Sequence, residues 1–383
     1  MSSLDDYRIE LDKINADILL LHEKRLQLVE KVADYKTERN LPIFQPDREK
    51  EIIETMCAKV NPEDAGGVKL LFDMIMRISR EYQYNGIYQN SSFYKKLQKF
   101  KETSAALPSS PKIACPGVPG SYSSQCAHDL FENVCPTYYE TFKDVCDAVS
   151  DGKADIGILP IENSNSGSIL QVFDLMIKND FYIYKSHKVR VQHYLLGQPN
   201  ASLENITDIY SHEQGIHQCS DFLSEHKNMK THTYSNTAAA AKFVCEKNDG
   251  SCAAIASKEC SELYDLSVIK PNIQNMEDNY TRFIVITKEF YKTPEANKIS
   301  VFLSLPNEIG SLYGILARFA ICGLNLTKLE SRPMDSKFSY LFFLEFEGNI
   351  FHQNVEKLLC QLSEELEHFA FLGNYYDDNH IYE

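Results

Sequence analysis

From Leu4 to about residue 38 the chain repeats apolar side chains at helical spacing. Leu4, Tyr7, Leu11, Ile14, Ile18, Leu21, Leu28, Val32 and Tyr35 fall on one face. The period predicts one helix of about 50 Å. A helix of that length outruns what its own short domain can cover. Antiparallel pairing of two chains removes the difficulty, because each helix then covers the other. "NLPIFQPDREKEII" breaks the pattern at Pro42 and Pro46 and starts a second helix, with Asp47 and Glu49 at its positive end. "GGVKLLFDMIMRISREYQY" makes a third. Residues 1–95 therefore read as an all-α domain.

The composition of "KFKETSAALPSSPK" marks residues 96–111 as a linker. Beyond it, strand-like runs at Lys112–Cys115, Asp155–Leu159, Phe181–Tyr184, Tyr194–Leu196 and Phe283–Ile286 alternate with helical stretches. "TFKDVCDAVSDGK" and "NTAAAAKFVCEKN" are two of these. The alternation predicts an α/β domain over residues 112–290. "YKTPEANK" is a second seam. After it come a strand (Ile299–Leu305), a helix (Ser311–Cys322), strands at Asn325–Glu330 and Phe338–Phe346, a helix (Phe351–Leu366) and a strand (Ala370–Tyr375). That order, βαββαβ over residues 297–378, is the α+β ferredoxin-like plan.

The 383 residues carry a formal net charge of -15, which argues against a nucleic-acid partner. No apolar run reaches the roughly 18 residues of a membrane helix. The acidic, amphipathic start "MSSLDDYRIELDKI" is neither a signal nor a transit peptide. Eleven scattered cysteines, never spaced as C-x-x-C, predict reduced thiols in a cytoplasmic protein. "HEQGIH" sets His212 and His217 five residues apart, about 140° around a helix, so they share no face for zinc. "GVPGSYSSQ" lacks the glycine and lysine pattern of a nucleotide loop. No metal or cofactor is expected.

In the helical segment, Arg8, Arg25, Lys36, Arg48, Ser79 and Gln83 form either a solvated face or a site. Arg25 and Lys36 return to one face about 16 Å apart, within reach of one small ligand. Ser79 and Gln83 stand at i and i+4. Arg8 lies roughly 25 Å from Arg25 along the axis and would have to serve the partner's site in an antiparallel pair. "YRIELDKINADILLLHEKRLQLVEKVADYK", "DRE" and "ISREYQ" resemble the all-helical chorismate mutase domain. The resemblance implies site residues Arg8, Arg25, Lys36, Arg48, Glu49, Ser79 and Gln83, with Arg8 donated across a homodimer. Chorismate, a dicarboxylate, rearranges pericyclically to prephenate. The site has to hold a compact conformer and stabilise charge on the ether oxygen. Arginines would clamp the carboxylates, and Lys36 and Gln83 would aim donors at the ether oxygen. Gln45 stands where enterobacterial relatives carry Asp, which implies altered substrate affinity rather than loss of activity.

In the α/β segment, polar clusters flank the strands. Ser121 and Ser123 follow the first strand. Glu162, Asn163, Ser164 and Ser166 lie just past the second. Ser211, His212, Glu213, His217 and Gln218 form another, and Tyr280, Thr281 and Arg282 precede an apolar run. Each is either a capped turn or the rim of a cleft. "GVPGSYS", "PIENSNSG", "YSH…QC" and "NYTRF", in that order, resemble prephenate dehydratase over about residues 112–288. The resemblance implies two periplasmic-binding-protein-like α/β lobes, the second at about residues 189–268, with the site between them. It also implies a catalytic Thr281 and substrate contacts from Asn163, Ser211 and Gln218. Arg282 would hold a carboxylate or brace the lobe. Prephenate loses CO2 and its ring hydroxyl to give phenylpyruvate, so a donor is needed near the departing oxygen. Thr281 would orient that oxygen.

"GSL…NLTKLESRP" resembles the ACT domain attached to prephenate dehydratases. The resemblance implies a phenylalanine site between paired domains, formed by Gly310, Ser311, Leu312, Asn325, Glu330, Ser331 and Arg332. An end product bound there can bias two global states, as feedback inhibition requires. Two other readings stand beside the bifunctional enzyme: a dehydratase preferring arogenate, and a non-catalytic amino-acid sensor.

Overall fold

The computed structural model describes residues 3–85, 87–103, 105–334 and 339–377. Four helices come first: α1 (Leu4–Glu38), α2 (Pro46–Cys57), α3 (Ala65–Tyr84) and α4 (Ser92–Glu102). There follow β1 (Ile113–Pro116), α5 (Tyr122–Leu130), β2 (Thr137–Tyr139), α6 (Phe142–Ser150), β3 (Ile156–Asn163), β4 (Gly167–Ser168), α7 (Leu170–Asn179), β5 (Tyr182–Arg190) and β6 (Tyr194–Gly197). Next are β7 (Asp208–Ser211), α8 (Glu213–Gln218), α9 (Ser220–Glu225), β8 (Lys230–Thr233), α10 (Thr237–Lys247), β9 (Cys252–Ala256), α11 (Glu259–Leu263), β10 (Ser267–Lys270) and β11 (Tyr280–Thr287). The chain closes with β12 (Lys298–Leu305), α12 (Ser311–Ile321), β13 (Leu326–Met334), β14 (Ser339–Glu347), α13 (Gln353–Glu365) and β15 (Phe369–Asp377). Phe338 and Asp378, the expected strand start and domain end, lie outside the described residues.

Two compact units result. The first takes the residues up to Glu102 together with Val301–Ala370; the second takes Thr103–Ser300 and the chain from Phe371.

In the first unit, α1 opens on a capping box. Ser3 Oγ accepts from the Asp6 N–H at 3.2 Å, and the Asp6 carboxylate accepts from the Ser3 N–H at 2.7 Å. Only Val29, Ala33 and Lys36 of this helix are buried, and the apolar stripe from Leu4 to Tyr35 is exposed. The helix α4 occupies the start of the stretch whose composition reads as linker. The reason is tertiary. Phe93 and Leu97 are buried, Phe93 packs edge-on against Phe369 at 5.3 Å, and Gln98 donates to Glu356 on α13 at 3.0 Å. The C-terminal elements run β-α-β-β-α-β in strand order β13-β14-β12-β15, with β13 and β14 antiparallel.

The second unit has two sheets. In one, β5, β11, β3, β1 and β2 are successive neighbours, and the last residues of β15 pair parallel with β5. The other has the order β10-β6-β9-β7-β8. The chain leaves the first sheet after Arg190 and re-enters it at Tyr280. The strand β11 takes in the polar triplet before Phe283. Thr281 pairs with Asn163 on one side and Val189 on the other. Side chains alternate along a strand, so Thr281 and Arg282 face opposite ways. Hydrophobicity alone placed the strand start at Phe283, because it does not count a buried polar residue as part of a strand.

Candidate active sites

The helical residues split into a group that meets and a pair that does not. On α1, Arg25 donates through Nη1 to Ser79 Oγ on α3, and its Nη2 lies 3.5 Å from Met76 Sδ. Gln83 is buried one turn further along α3, with Nε2 3.5 Å from the Ser79 carbonyl. Its Oε1 has no hydrogen-bond partner among the described residues. Lys36, also buried, donates to the Ile43 carbonyl at 2.7 Å, which ties the end of α1 to the loop before α2. Glu49 on α2 stands 3.2 Å from Arg80 Nε and lies within the electrostatic reach of both Arg25 and Lys36. Burial lowers the pKa of Arg25 and of Lys36, against the pull of Glu49. It raises that of Glu49, against the pull of Arg80. Cations held partly out of water gain from an arriving dianion, which restores the stabilisation that burial removed.

Arg8 and Arg48 are not in this group. Arg8 is exposed and pairs with Asp5 at 3.0 Å; Arg48 is exposed and pairs with Glu51 at 2.5 Å. Gln45 caps α2 without a side-chain hydrogen bond. Arg80 is the residue that sequence reasoning passed over, although "ISREYQ" contains it.

The second unit holds a cleft of about 450 Å³. Thr281, Asn163 and Gln218 line it, and Ser211 and Arg282 do not. Asn163 sits at the centre of a network. Its Oδ1 accepts from the backbone N–H groups of Asn165 (3.1 Å) and Ser166 (3.0 Å). Because those groups can only donate, Nδ2 must face the other way. There it donates to Asn279 Oδ1 (2.8 Å), Thr281 Oγ1 (3.0 Å) and the Tyr280 carbonyl (3.1 Å). With one lone pair of Oγ1 so engaged, the Thr281 hydroxyl proton is available to a ligand.

Ser211 is fully buried and donates to the Ile255 carbonyl at 2.8 Å, inside the second sheet. Arg282 takes the bracing alternative. Its Nε lies 2.6 Å from Glu162 and its Nη1 4.0 Å from Asp377, and Asp377 also receives Lys298 and the Ser186 hydroxyl. Among the described residues lining the cleft, none is Lys or Arg. Positive potential comes instead from helix N-termini. Ser121 caps α5, Thr141 caps α6 and Asn236 caps α10, and all three line the cleft.

His193 was not anticipated. It lines the cleft, is 2% exposed, and its Nε2 lies 2.8 Å from Gln218 Oε1. An oxygen can only accept, so Nε2 carries the proton and the Gln218 amide nitrogen is left as a donor. Burial lowers the His193 pKa. A lone histidine between two apolar strands gives no sequence signal of this. Asn236 did give one, since "SNTAAAA" is an N-cap pattern.

In the C-terminal segment, Gly310 has φ 90° and opens α12, which begins with Ser311 and Leu312. Glu330, Ser331 and Arg332 lie on β13 opposite Phe343, Phe342 and Leu341, and the Asn325 carbonyl accepts from Glu347 at 2.9 Å.

A group of partly buried cations among the helices and a polar-lined cleft in the α/β unit give the chain two separate candidate sites, the plan of a two-activity enzyme. The chain matches the family model of chorismate mutase type II over residues 7–84 and that of prephenate dehydratase over residues 113–290. A bifunctional chorismate mutase/prephenate dehydratase of Aquifex aeolicus is 30% identical over 378 residues, covering 98% of each chain. Arogenate dehydratase/prephenate dehydratase 2 of Arabidopsis thaliana is 32% identical, covering 69% of this chain and 72% of its own. A prephenate dehydratase from Arthrobacter aurescens, solved in complex with L-Phe, aligns with TM-score 0.64 at 26% identity over 69% of this chain and 89% of its own. The chain belongs to the family of bifunctional chorismate mutase/prephenate dehydratases. It converts chorismate to prephenate, and prephenate to phenylpyruvate, CO2 and water. No helix among the described residues is long and apolar enough to cross a membrane.

Proposed function

We propose that the mutase step is carried by Arg25, Lys36 and Gln83, joined by Arg48 once it turns from its exposed pair with Glu51, with Glu49 and Ser79 binding substrate and Arg8 supplied by a second copy of the chain. What supports this is the meeting of Arg25 and Gln83 at Ser79. Arg25 clamps a carboxylate, and Lys36 and Gln83 donate to the ether oxygen. The exposed stripe of α1 supports an antiparallel homodimer in which Arg8 crosses over.

The dehydratase step belongs to Thr281, with Asn163 orienting it and Gln218 binding substrate. The carrying observation is the 3.0 Å Asn163–Thr281 hydrogen bond at the cleft wall. Thr281 donates to the ring hydroxyl as it departs. Loss of CO2 supplies the electron pair that aromatises the ring and expels that oxygen, which leaves as water after taking up a proton. The prephenate carboxylates rest on the N-termini of α5 and α10. Ser211 supports the wall from behind rather than touching substrate, and Arg282 braces β11. Replacing Thr281 with Ala cuts phenylpyruvate formation from prephenate about 100-fold and leaves chorismate consumption unchanged. If both activities fall together, the division of labour is wrong.

The C-terminal βαββαβ elements act as a ferredoxin-like ACT domain. Phenylalanine binds Gly310, Ser311, Leu312, Asn325, Glu330, Ser331 and Arg332 between paired copies, and the protein works in the cytoplasm without cofactor. The L-Phe-bound relative supports the ligand. Millimolar phenylalanine slows the dehydratase; an unchanged rate would end this reading. Arogenate is a second candidate substrate, favoured by one observation: Glu140 at the cleft can meet its ammonium group. Comparing turnover of the two acids by the same preparation decides between them.

A further inference from the structure

One side of α3 faces Arg25. Another is fastened to the C-terminal helices of the same unit. Glu81 meets Lys357 at 3.0 Å and Gln361 at 3.0 Å, both on α13. The Arg77 guanidinium lies against α12 at Gly314, where a Cβ would stand 2.4 Å from its nitrogens. Between these contacts sits Arg80, 5% exposed. Its Nε is 3.2 Å from the Glu49 carboxylate, its Nη1 is 2.8 Å from the Glu365 carboxylate, and its guanidinium lies 4.3 Å over the Phe44 ring. Arg318 of α12 donates to the same Glu365 oxygen.

Two carboxylates and two guanidinium groups thus form one chain of charge: Glu49, Arg80, Glu365, Arg318. Its first member is in the mutase site and its last two are on the C-terminal helices. Glu49 has no other cation as near as Arg80 among the described ion pairs. Without Arg80, Glu49 would face the field of Arg77, which is already paired with Asp73, and the fields of Arg25 and Lys36. It would then swing toward Arg25 and Lys36 and occupy the charge meant for substrate.

We propose that Arg80 is a positioning residue of the mutase reaction. It holds Glu49 off Arg25 and Lys36, and it is itself held by Glu365, so that chorismate binding depends on a carboxylate 285 residues further along the chain. The proposal rests on the reading of Glu49 as part of the mutase site. A buried ion network that only stabilises the fold would show the same contacts, but it would lower the amount of folded protein without altering the binding constant of what remains.

The experiment uses the full chain, with dehydratase turnover of prephenate as the internal measure of folded protein. The R80Q variant is expected to raise the chorismate KM about tenfold, with kcat changed far less, and R80K to recover about half of that in logarithmic terms. E365Q, which spares the Arg80–Glu49 pair, is expected to raise KM in the same direction by about threefold. On an E49Q background, R80Q is expected to add nothing, because its route to the site is gone. A chorismate KM in E365Q and R80Q that matches the unaltered chain overturns the proposal, as does an R80Q effect undiminished on the E49Q background. If R80Q fails to fold, E365Q alone and on the E49Q background decides the question in the same way. An E49Q variant with unaltered mutase kinetics overturns the reading of Glu49 itself, which separates the two failures.

Discussion

In the proposed dehydratase mechanism the orientation of one amide decides where the Thr281 proton points, and Asn163→Asp reverses it with almost no change of shape. In the native chain the Asn163 Nδ2 group faces three acceptors at 2.8 to 3.1 Å, one of them Thr281 Oγ1. A carboxylate oxygen in its place cannot donate to any of them. Thr281 would then turn its hydroxyl toward the carboxylate, and its proton would be lost to the departing oxygen. Losing one preorganised donor at a reacting oxygen costs about 3–4 kcal/mol, or roughly 100- to 1,000-fold in kcat. The same anion would face Asn279 Oδ1 and the Tyr280 carbonyl, two oxygens that lose their shared donor, which costs about 1–3 kcal/mol of stability. Those two oxygens oppose the charged form, whereas the N–H groups of Asn165 and Ser166, which already donate to the other side-chain oxygen, favour it. Phenylpyruvate formation from prephenate measures the loss, and mutase turnover of chorismate by the same sample measures folded enzyme. The variant is expected to regain dehydratase activity as pH falls and the acid becomes a donor again. If N163D keeps more than about a tenth of native kcat at neutral pH, the donor argument fails.

Other consequences follow from the same unit. His193 is buried with a lowered pKa, so on acidification the unfolded chain takes up a proton at the ordinary value of 6.5 while the folded chain does not. Stability therefore falls with pH below that value, by up to about 1.4 kcal/mol per unit, until the lowered folded pKa is reached. The slope should flatten in H193N, read from urea midpoints; an identical slope removes His193 as its source. At Gly215 a Cβ would lie 2.7 Å from Ser211 Oγ, whose hydrogen bond to Ile255 fixes it in place. G215A is expected to lose about 1–3 kcal/mol through overpacking, offset by at most about 1 kcal/mol of helix propensity. Because α8 carries Gln218, the KM for prephenate should rise as well, and thermal unfolding with prephenate kinetics tests both.

Much of the architecture was legible in the residue order. The period of α1 reports its length, since one face must be apolar wherever a helix meets anything at all. The βαββαβ order was readable for the same reason, with each change of period marking a change of element. Strand β11 was misjudged at its start, because Thr281 and Arg282 are polar and yet lie within the sheet. Helix α4 was hidden by its lysines, and Phe93 and Leu97 are its buried anchors.

Site residues were legible as types and not as contacts. Ser79 and Gln83 could be placed together because helical spacing is short-range geometry, whereas Arg25 stands on another helix and was joined to them only through the resemblance. Ser211, expected at substrate, is turned into the second sheet, and for Arg282 two roles stayed open, because two lobes joined by distant crossings decide which face looks inward. Among the described residues the cleft wall has no Lys or Arg and uses helix N-termini in their place, an arrangement made by seven separate segments arriving at one spot.

Read alone, the order of residues settles which stretches are helix or strand, how long α1 runs, and which family of chemistry the chain serves, because each depends on neighbours a few positions apart. Only the folded chain decides that Asn163 aims the Thr281 hydroxyl, that His193 presents Gln218, and that Arg80 stands between Glu49 and Glu365. Those pairings join positions from 25 to 285 residues apart, where no local period reaches and only packing determines which side chains meet.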